Sequence, residues 1–275
     1  MNDIEKIELE LFLSAIFLRY GYDFRHYAQA SIRRRVQNML AKSGAKNISD
    51  MIPKLLYDPV FFEELLFDFS ITVTEMFRDP DFFLAVRQKI IPYLKTHPFI
   101  KIWHAGCATG EEVYSMAILL KEEGLYDRCT IFATDFNDTA IKAAKEGIYK
   151  LDSIQKFTKN YQAGGGKNSF SDYYLADYDS VIMDQSLKKN VTFANHNLVS
   201  DHVFGEMHLV FCRNVMIYFD RTLQNRVFKL FSDSLIHKGF LCLGNREALR
   251  FSDVYAQFNT IDEQQRIYVK NEIVK

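Results

Sequence analysis

The sequence predicts a doubly wound α/β domain preceded by a small helical domain. From position 100 onward, apolar runs of strand type alternate with helical patterns, as in a parallel sheet covered by helices. The first run leads through a loop bounded by Gly106 and Gly110 into a helix. Before position 76, apolar residues recur at helical spacing instead. We therefore expect a helical domain over 1–75, a linker and connecting helix over 76–99, and an α/β domain over 100–275.

The helical domain is expected to contain helices separated by glycine and proline, which interrupt the apolar periodicity. The predicted helices are Ile7–Tyr20, Tyr27–Ser43, Met51–Tyr57 and Phe61–Ser70. The joint after them, Ile71–Asp81, is unusually rich in polar groups, which sets it apart from an ordinary linker.

The α/β domain opens with an apolar strand beginning at Ile100. A second β-rich run, Cys129–Asp135, ends in an acid and precedes a helix over Asn137–Gly147. The alternation then breaks, and three consecutive glycines from Gly164 mark a flexible turn. We expect an inserted β subdomain over about 150–195, with short antiparallel strands at Tyr173–Asp184 and Asn190–Phe193. The sheet resumes with the strand His208–Cys212, a helix Arg221–His237 ended by Gly239, the strand Phe240–Leu243, and a final antiparallel pair, Val254–Phe258 and Arg266–Lys270.

The loop between Gly106 and Gly110 predicts a nucleotide-type binding turn, because glycine lets a ligand approach backbone N–H groups at a helix N-terminus. Glu111 and Glu112 stand where a dinucleotide enzyme places pyrophosphate, which they would repel. The G-x-x-x-G spacing also matches neither the dinucleotide nor the P-loop pattern. Asp135 ends the second strand, where an acid accepts hydrogen bonds from ribose hydroxyls. S-adenosylmethionine fits both features, since it has an adenosine, a sulfonium cation and no phosphate. Two alternatives stay open: an ordinary βα turn, and an Asp135 that only caps the next helix.

Composition limits the class of protein. The net charge of −1 over 275 residues argues against a general nucleic-acid binder, and nearly half of the residues are hydrophobic, enough for a substantial core. Four widely spaced cysteines form no C-x-x-C pair, so we expect reduced thiols, a cytoplasmic protein and no metal site. No apolar run approaches the ~20 residues of a membrane span, so we expect neither a signal peptide nor an anchor.

Three stretches together resemble the chemotaxis receptor methyltransferases, the CheR family: Thr72–Asp79, Trp103–Glu112 and Phe211–Phe219. The order of helical domain, methyltransferase sheet and β insert also matches, so the resemblance covers nearly the whole chain. It implies a Rossmann-like S-adenosylmethionine methyltransferase domain with a small antiparallel β subdomain, after an all-α N-terminal domain. It also implies methylation of glutamate side chains on the cytoplasmic helices of chemoreceptors, giving methyl esters and S-adenosylhomocysteine.

The resemblance implies site residues by motif. Those expected at the cofactor are Thr72, Thr74, Arg78, Gly106, Glu112, Asp135, Asn197, Leu198 and Arg213. Those expected at the methyl group and the incoming carboxylate are Arg78, Arg213 and Tyr218. Two positions depart from the family pattern: Thr72 replaces a frequent Asn, and Val113 follows the acidic pair where Pro is usual.

A glutamate carboxylate with a pKa near ~4.3 is already ionised at neutral pH, so its attack on a methyl group needs no general base. We therefore expect the two arginines and Tyr218 to orient the acceptor, not to remove a proton. The alternatives are a core aromatic for Tyr218 and a surface ion pair with Asp79 or Asp81 for Arg78.

Substrate docking is expected at the basic second helix. No acidic residue occurs from Phe24 to Ser49, whereas Arg33, Arg34 and Arg35 are consecutive. Such a helix suits an acidic helical receptor, and its alternative is a solvated face. No aromatic platform accompanies it, so we expect no nucleic-acid partner. The turn Leu175–Val181 is short and acidic, which argues against tethering to a receptor tail.

Two other functions stay open. One is an S-adenosylmethionine methyltransferase acting on another substrate, and the other is a cofactor-binding signalling scaffold without catalysis. The sequence Arg213-Asn214-Val215-Met216 stands where amino-methylating nucleic-acid enzymes carry Pro-Pro-aromatic, which weighs against a nucleobase substrate. We expect a cytoplasmic monomer that is not an integral membrane protein.

Overall fold

The computed structural model describes residues 3–69, 74–203 and 205–271, which form two compact units. The first unit contains the N-terminal residues up to Ile71 together with Met216–Val227. The second contains Thr72–Val215 and Phe228–Lys275. The first unit is therefore discontinuous in sequence.

The first unit is built on the four predicted helices. Their bounds are α1 (Asp3–Tyr20), α2 (Gln29–Ser43), α3 (Met51–Tyr57) and α4 (Pro59–Phe69). Helix α2 ends at Gly44, which has a φ of 73°. This left-handed conformation is unfavourable for residues with a side chain. The helices bury an apolar core that includes Phe12, Ile16, Leu55, Leu65 and Phe69. The apolar periodicity thus located these elements correctly, with shifts of a few residues at their ends.

The second unit contains a seven-stranded sheet, counted over the described residues. Its strands are β1 (Ile100–Ala105), β2 (Cys129–Asp135), β6 (Val191–Asn195), β7 (Met207–Cys212), β8 (Leu235–Leu243), β9 (Phe258–Asp262) and β10 (Ile267–Lys270). Their order across the sheet is β6-β2-β1-β7-β8-β10-β9. The first five strands in that order are parallel, and β10 pairs antiparallel with both of its neighbours. The strand order reverses direction between β1 and β7, so a ligand crevice is expected at their carboxyl ends.

Helices cover this sheet, and the buried faces are apolar, as the doubly wound pattern predicts. Their bounds are α5 (Pro80–Ala85), which continues through a π-helical turn (Val86–Ile90) into α6 (Ile91–Leu94), α7 (Glu111–Glu122) and α8 (Asp138–Glu146). Helix α10 (Arg221–Ser234) begins in the first unit and ends in the second. Strands β1 and β7 supply fully buried side chains, including Ile102, Trp103, Leu209 and Phe211. No helix in the described ranges is long and apolar enough to span a bilayer. All four cysteines are free and buried.

The inserted β subdomain is present, but its extent differs from the prediction. A separate antiparallel sheet has the order β3 (Ile148–Lys150), β5 (Ser180–Met183) and β4 (Tyr174–Asp177), with α9 (Ile154–Ala163) between β3 and β4. The prediction that Asn190–Phe193 belongs to it is wrong. That segment becomes β6, which pairs parallel with β2 along Ile131–Asp135 at the edge of the main sheet. A strand pattern alone does not say which sheet receives the strand.

The C-terminal boundaries also move. The helix predicted to reach His237 ends at Ser234, and Leu235 already begins β8. Gly239 lies inside that strand, where an added Cβ would stand 2.9 Å from the Ile236 carbonyl oxygen, so it marks a close backbone approach and not a helix end. The final antiparallel pair exists, but its first strand begins at Phe258 because Tyr255–Gln257 forms a 3₁₀ turn.

Candidate active site

The glycine loop after β1 has no room for side chains at its two glycines. Gly106 has a φ of +78°, and an added Cβ would stand 2.6 Å from Val215 Cγ2. Gly110 has a φ of +93°, and its Cβ would stand 3.0 Å from the Ala144 Cβ. The N–H of Gly106 donates to the Thr134 carbonyl oxygen at 2.8 Å, which fixes the loop to β2. Both glycines are therefore required by backbone conformation and by packing.

Asp135, at the end of β2, holds the same loop from the other side. Its Oδ2 accepts from the N–H of Ala108 at 3.0 Å, and its Oδ1 accepts from the N–H of Asn137 at 3.0 Å. Burial raises the pKa of the Asp135 carboxyl. Helix α8 is capped by the Asn137 side chain, which accepts from the N–H groups of Thr139 and Ala140. The alternative that Asp135 caps this helix is therefore wrong, and its oxygens retain acceptor capacity for a ligand.

The loop after β6 lies beside Asp135. The N–H of His196 donates to the Asp135 carbonyl oxygen at 3.1 Å, which fixes the start of this loop. Asn197 Oδ1 accepts from the N–H of Val199, and Leu198 is buried. The structure thus brings Asn197 and Leu198, both expected at the cofactor, to the same sheet edge as Asp135.

Arg213 follows β7 and is held by two carboxylates and an aromatic ring. Its Nη1 donates to Glu112 Oε2 at 3.0 Å and its Nη2 to Asp79 Oδ2 at 2.7 Å. The Phe82 ring lies 4.0 Å from its Cζ, and its side chain is 1% exposed. The guanidinium plane is therefore fixed at the switch point of the sheet. Asp79, one of the two carboxylates considered as alternative partners of Arg78, pairs with Arg213.

The two glutamates at the start of α7 differ in environment. Glu112 accepts from Arg213 and lies 2.9 Å from His104 Nδ1. Although burial opposes the charge of Glu112, its hydrogen bond with His104 and the Arg213 charge lower its pKa below the usual range. Glu111 is buried and accepts from the Thr109 hydroxyl at 2.7 Å, and burial raises its pKa to about 7.

The linker reaches this region in a strained conformation. Phe77 and Asp79 have φ values of 51° and 57°, which are unusual for residues with side chains. The N–H of Phe77 donates to Ser115 Oγ at 2.8 Å, so α7 holds the linker in place. Thr74 and Arg78 are half-buried beside this segment. The predicted contact at Thr72 lies outside the described residues.

Tyr218 and the basic helix α2 lie in the first unit. The Tyr218 carbonyl oxygen accepts from the N–H of Ala28 at 2.7 Å, and its ring lies 5.0 Å from the Arg35 Cζ. The three predicted docking arginines are not equivalent. Arg33 pairs with Glu5 at 3.3 Å and Arg34 is exposed, whereas Arg35 is only 4% exposed.

Arg35 is a buried cation whose hydrogen-bonding capacity is incompletely used. Within the part of the chain that the structure describes, its Nε and Nη2 have no hydrogen-bond partner. Burial lowers its pKa. Buried guanidinium groups are ordinarily matched by carboxylates.

Known proteins identify the family. The family model described as CheR methyltransferase, SAM binding domain, matches residues 72–267, and the one described as CheR methyltransferase, all-alpha domain, matches residues 7–70. The chain belongs to the CheR methyltransferases. The Pseudomonas putida protein Cher3 is 50% identical over 96% of this chain and 97% of its own length. The chemotaxis protein methyltransferase of Borreliella burgdorferi is 30% identical over 90% of each chain.

Solved structures add nothing to this assignment. The N-methyltransferase NodS of Bradyrhizobium japonicum, in complex with S-adenosylhomocysteine, is 12% identical with a TM-score of 0.34. It covers 76% of this chain and 71% of its own. A likeness this low carries no argument.

The predicted cofactor, S-adenosylmethionine, is confirmed by the family, and the crevice of this CheR methyltransferase fits it. Gly106 keeps the end of β1 free of a side chain, and any Cβ there would meet Val215. A phosphate at the start of α7 would face the carboxylates of Glu111 and Glu112, which oppose a further anion there. Asp135 offers acceptor capacity to hydroxyl groups. No group of three or more His, Cys, Asp or Glu residues that could hold a metal occurs in the ranges described.

Two residues of the site were not predicted from the sequence. His104 contacts Glu112, and Asp79 contacts Arg213 across 134 positions. The signal for His104 was a polar residue on an apolar strand, Ile100–Ala105, at a position inside the family motif Trp103–Glu112. Asp79 lies in the motif Thr72–Asp79, but its contact with Arg213 had no signal because the two residues are distant in sequence.

Proposed function

We propose that this CheR methyltransferase transfers a methyl group from S-adenosylmethionine to glutamate side chains on the cytoplasmic helices of chemoreceptors. The products are glutamate methyl esters and S-adenosylhomocysteine. The observation that carries the proposal is the exposed pair Arg33 and Arg34 on α2, a helix without acidic residues. An acidic helix of a partner has the charge that complements this surface. Relatives named chemotaxis protein methyltransferase support the same substrate class.

Methyl transfer to an ionised carboxylate depends on the orientation of the acceptor more than on proton transfer. When bound, S-adenosylmethionine supplies a methyl group on positively charged sulfur, which an ionised carboxylate accepts without first losing a proton. Thr72, Thr74, Arg78, Gly106, Glu112, Asp135, Asn197, Leu198 and Arg213 would hold the cofactor. Arg78, Arg213 and Tyr218 would orient the acceptor, and this positioning contributes up to roughly 7–11 kcal/mol in well-aligned reactions.

Arg213 suits an orienting role because its charge is already balanced. The carboxylates of Glu112 and Asp79 both accept from its guanidinium, so it does not hold an acceptor carboxylate in a tight ion pair. Too strong a grip would stabilise the acceptor before the transition state and slow the reaction.

The first unit would dock the receptor. Arg33 and Arg34 are exposed on α2 and would steer an acidic helix, while the buried Arg35 would add to the positive potential of the same helix. We assign residues 1–75 to docking, 76–99 to the link with the cofactor site and 100–275 to methyl transfer. The protein would act as a cytoplasmic monomer without nucleic acid.

The test is methyl transfer from tritium-labelled cofactor to a receptor cytoplasmic fragment. Label that is released as methanol by mild base identifies a glutamate methyl ester. Label in nucleic acid or in a metabolite would point to another substrate, and cofactor binding without any transfer would point to a scaffold. Either of these results overturns the proposal.

A second experiment separates docking from stability. Arg35→Met removes an unpaired buried charge, so we expect higher thermal stability together with lower turnover of receptor, because the positive potential of α2 falls. Arg19→Met, at an exposed arginine of α1, is the matched control and should change neither. Replacing Arg33, Arg34 and Arg35 together by Glu should weaken receptor turnover while S-adenosylhomocysteine affinity in calorimetry stays unchanged. Unchanged turnover in the triple variant would remove α2 from the docking surface.

A further inference from the structure

His104 is a buried histidine in the middle of β1 whose ring is held in one orientation. It is fully buried, and its ring stacks on Phe211 of the neighbouring strand with centroids 4.6 Å apart and planes 1° from parallel. Phe211 is itself fully buried. A ring packed in this way has little freedom to turn, so its nitrogens point in fixed directions.

The hydrogen bonds define which nitrogen carries the proton. Nδ1 lies 2.9 Å from Glu112 Oε1, and Nε2 has no hydrogen-bond partner among the residues described. An ionised carboxylate only accepts, so Nδ1 donates and Nε2 keeps a bare lone pair. This tautomer leaves no buried N–H group unsatisfied on the ring.

The bond from His104 occupies one oxygen of Glu112 and leaves the other for Arg213. Glu112 Oε2 accepts from Arg213 Nη1 at 3.0 Å, and Asp79 takes Arg213 Nη2 at 2.7 Å. The connected groups are thus imidazole, carboxylate, guanidinium and carboxylate. Without His104, the Glu112 carboxylate would be freer to rotate about its terminal bond, and one of the two carboxylates that hold Arg213 would loosen.

We infer that His104 is a positioning residue that orients the Arg213 guanidinium through Glu112. The effect of Arg213 on methyl transfer rests on the proposed function, whereas the geometry of the four groups does not. His104 acts on the reaction only through these neighbours and does not contact the reacting groups itself.

Matched substitutions test this role. His104→Asn places an amide N–H donor close to the position of Nδ1, and His104→Leu has a similar size without a donor. We expect kcat to fall about tenfold in His104→Leu, to recover within threefold in His104→Asn, and KM for the cofactor to change less than kcat. His208→Leu is the control, since His208 lies on β7 of the same sheet and bonds to the N–H of Lys101 instead. Equal losses in both His104 variants, or in His104→Leu and the control, would overturn the inference.

A second measurement needs neither substrate nor variant. Imidazole ¹⁵N chemical shifts in the protein alone should show His104 protonated at Nδ1, and a proton at Nε2 would refute the assignment. Rotation of the Arg213 guanidinium, followed by NMR, should be slow in the wild type and in His104→Asn but faster in His104→Leu. Equal rotation in all three contradicts the role. These readouts stay informative if the wild type fails to methylate a receptor, so the two failures are distinguishable.

Discussion

The sharpest stability prediction concerns Gly106→Ala. The glycine has a φ of +78°, and an alanine in this left-handed region costs ~1–2 kcal/mol. The new Cβ would also stand 2.6 Å from Val215 Cγ2, and overpacking of this kind adds ~1–3 kcal/mol. Valine is β-branched and has few rotamers with which to yield. We therefore expect a total loss of ~2–5 kcal/mol in the free energy of unfolding.

Gly124→Ala separates the two contributions. Gly124 has a similar φ of +69°, but nothing lies within 4 Å of an added Cβ. Its substitution should cost only the backbone part, ~1–2 kcal/mol. In a Val215→Ala background, Gly106→Ala should fall to that same value, because the colliding methyl groups are gone.

Urea unfolding followed by tryptophan fluorescence is the assay. The chain has a single tryptophan, Trp103, which is fully buried in β1 three residues before Gly106, so the signal reports on the second unit. Equal losses for Gly106→Ala and Gly124→Ala would refute the packing argument. A cost for Gly106→Ala that persists unchanged in the Val215→Ala background would refute it equally.

Three further predictions concern charged groups of the second unit. Asp135→Ala should abolish binding of S-adenosylhomocysteine in calorimetry with the circular dichroism spectrum unchanged. Because the pKa of Glu111 is raised to about 7, its ionisation destabilises the fold as pH rises above the unfolded value of 4.5. Glu111→Gln should therefore be more stable than the wild type at pH 8 by up to ~3 kcal/mol, and the advantage should vanish at pH 4. Arg87→Met breaks a buried pair with Glu122 and should cost ~3–5 kcal/mol in urea unfolding.

Each of these has an outcome that contradicts it. Unchanged affinity in Asp135→Ala would remove that carboxylate from the cofactor site. A Glu111→Gln advantage independent of pH would mean that ionisation is not the cause. A loss below 1 kcal/mol in Arg87→Met would show that the pair with Glu122 contributes no more than a surface ion pair.

Local signals in the sequence predicted much of the fold. Helix α8 illustrates this, since Asn137 caps its start and Gly147, with a φ of 67°, ends it. Such signals act within a few residues and can be recognised without the rest of the chain. Local signals did not predict which sheet contains strand β6, because that depends on pairing with β2, about sixty positions away. The prediction of the end of α10 was wrong for a related reason. The apolar residues after Ser234 are compatible with a helix as well as with the strand that they form.

The site divides in the same way. Gly106, Glu112 and Arg213 lie in recognisable motifs, and the structure places them together at the carboxyl ends of β1 and β7. The partners that hold them could not be predicted, because Asp79 reaches Arg213 only through the fold. The burial of Arg35 could not be predicted either, because the sequence does not distinguish three consecutive arginines. The orientation of the helix decides which of them faces the core.

The discontinuous first unit has a consequence for how the protein is made. Phe219 pairs with Tyr27 and contacts its ring at 5.0 Å, so helices at the start of the chain depend on residues near its far end. A ribosome adding roughly 5–20 residues per second needs roughly eight to thirty seconds to pass from position 71 to position 227. During that interval the emerging N-terminal helices lack part of their own interior. A truncated product ending before Met216 would expose the ring of Tyr27, and its first unit would be correspondingly prone to aggregate.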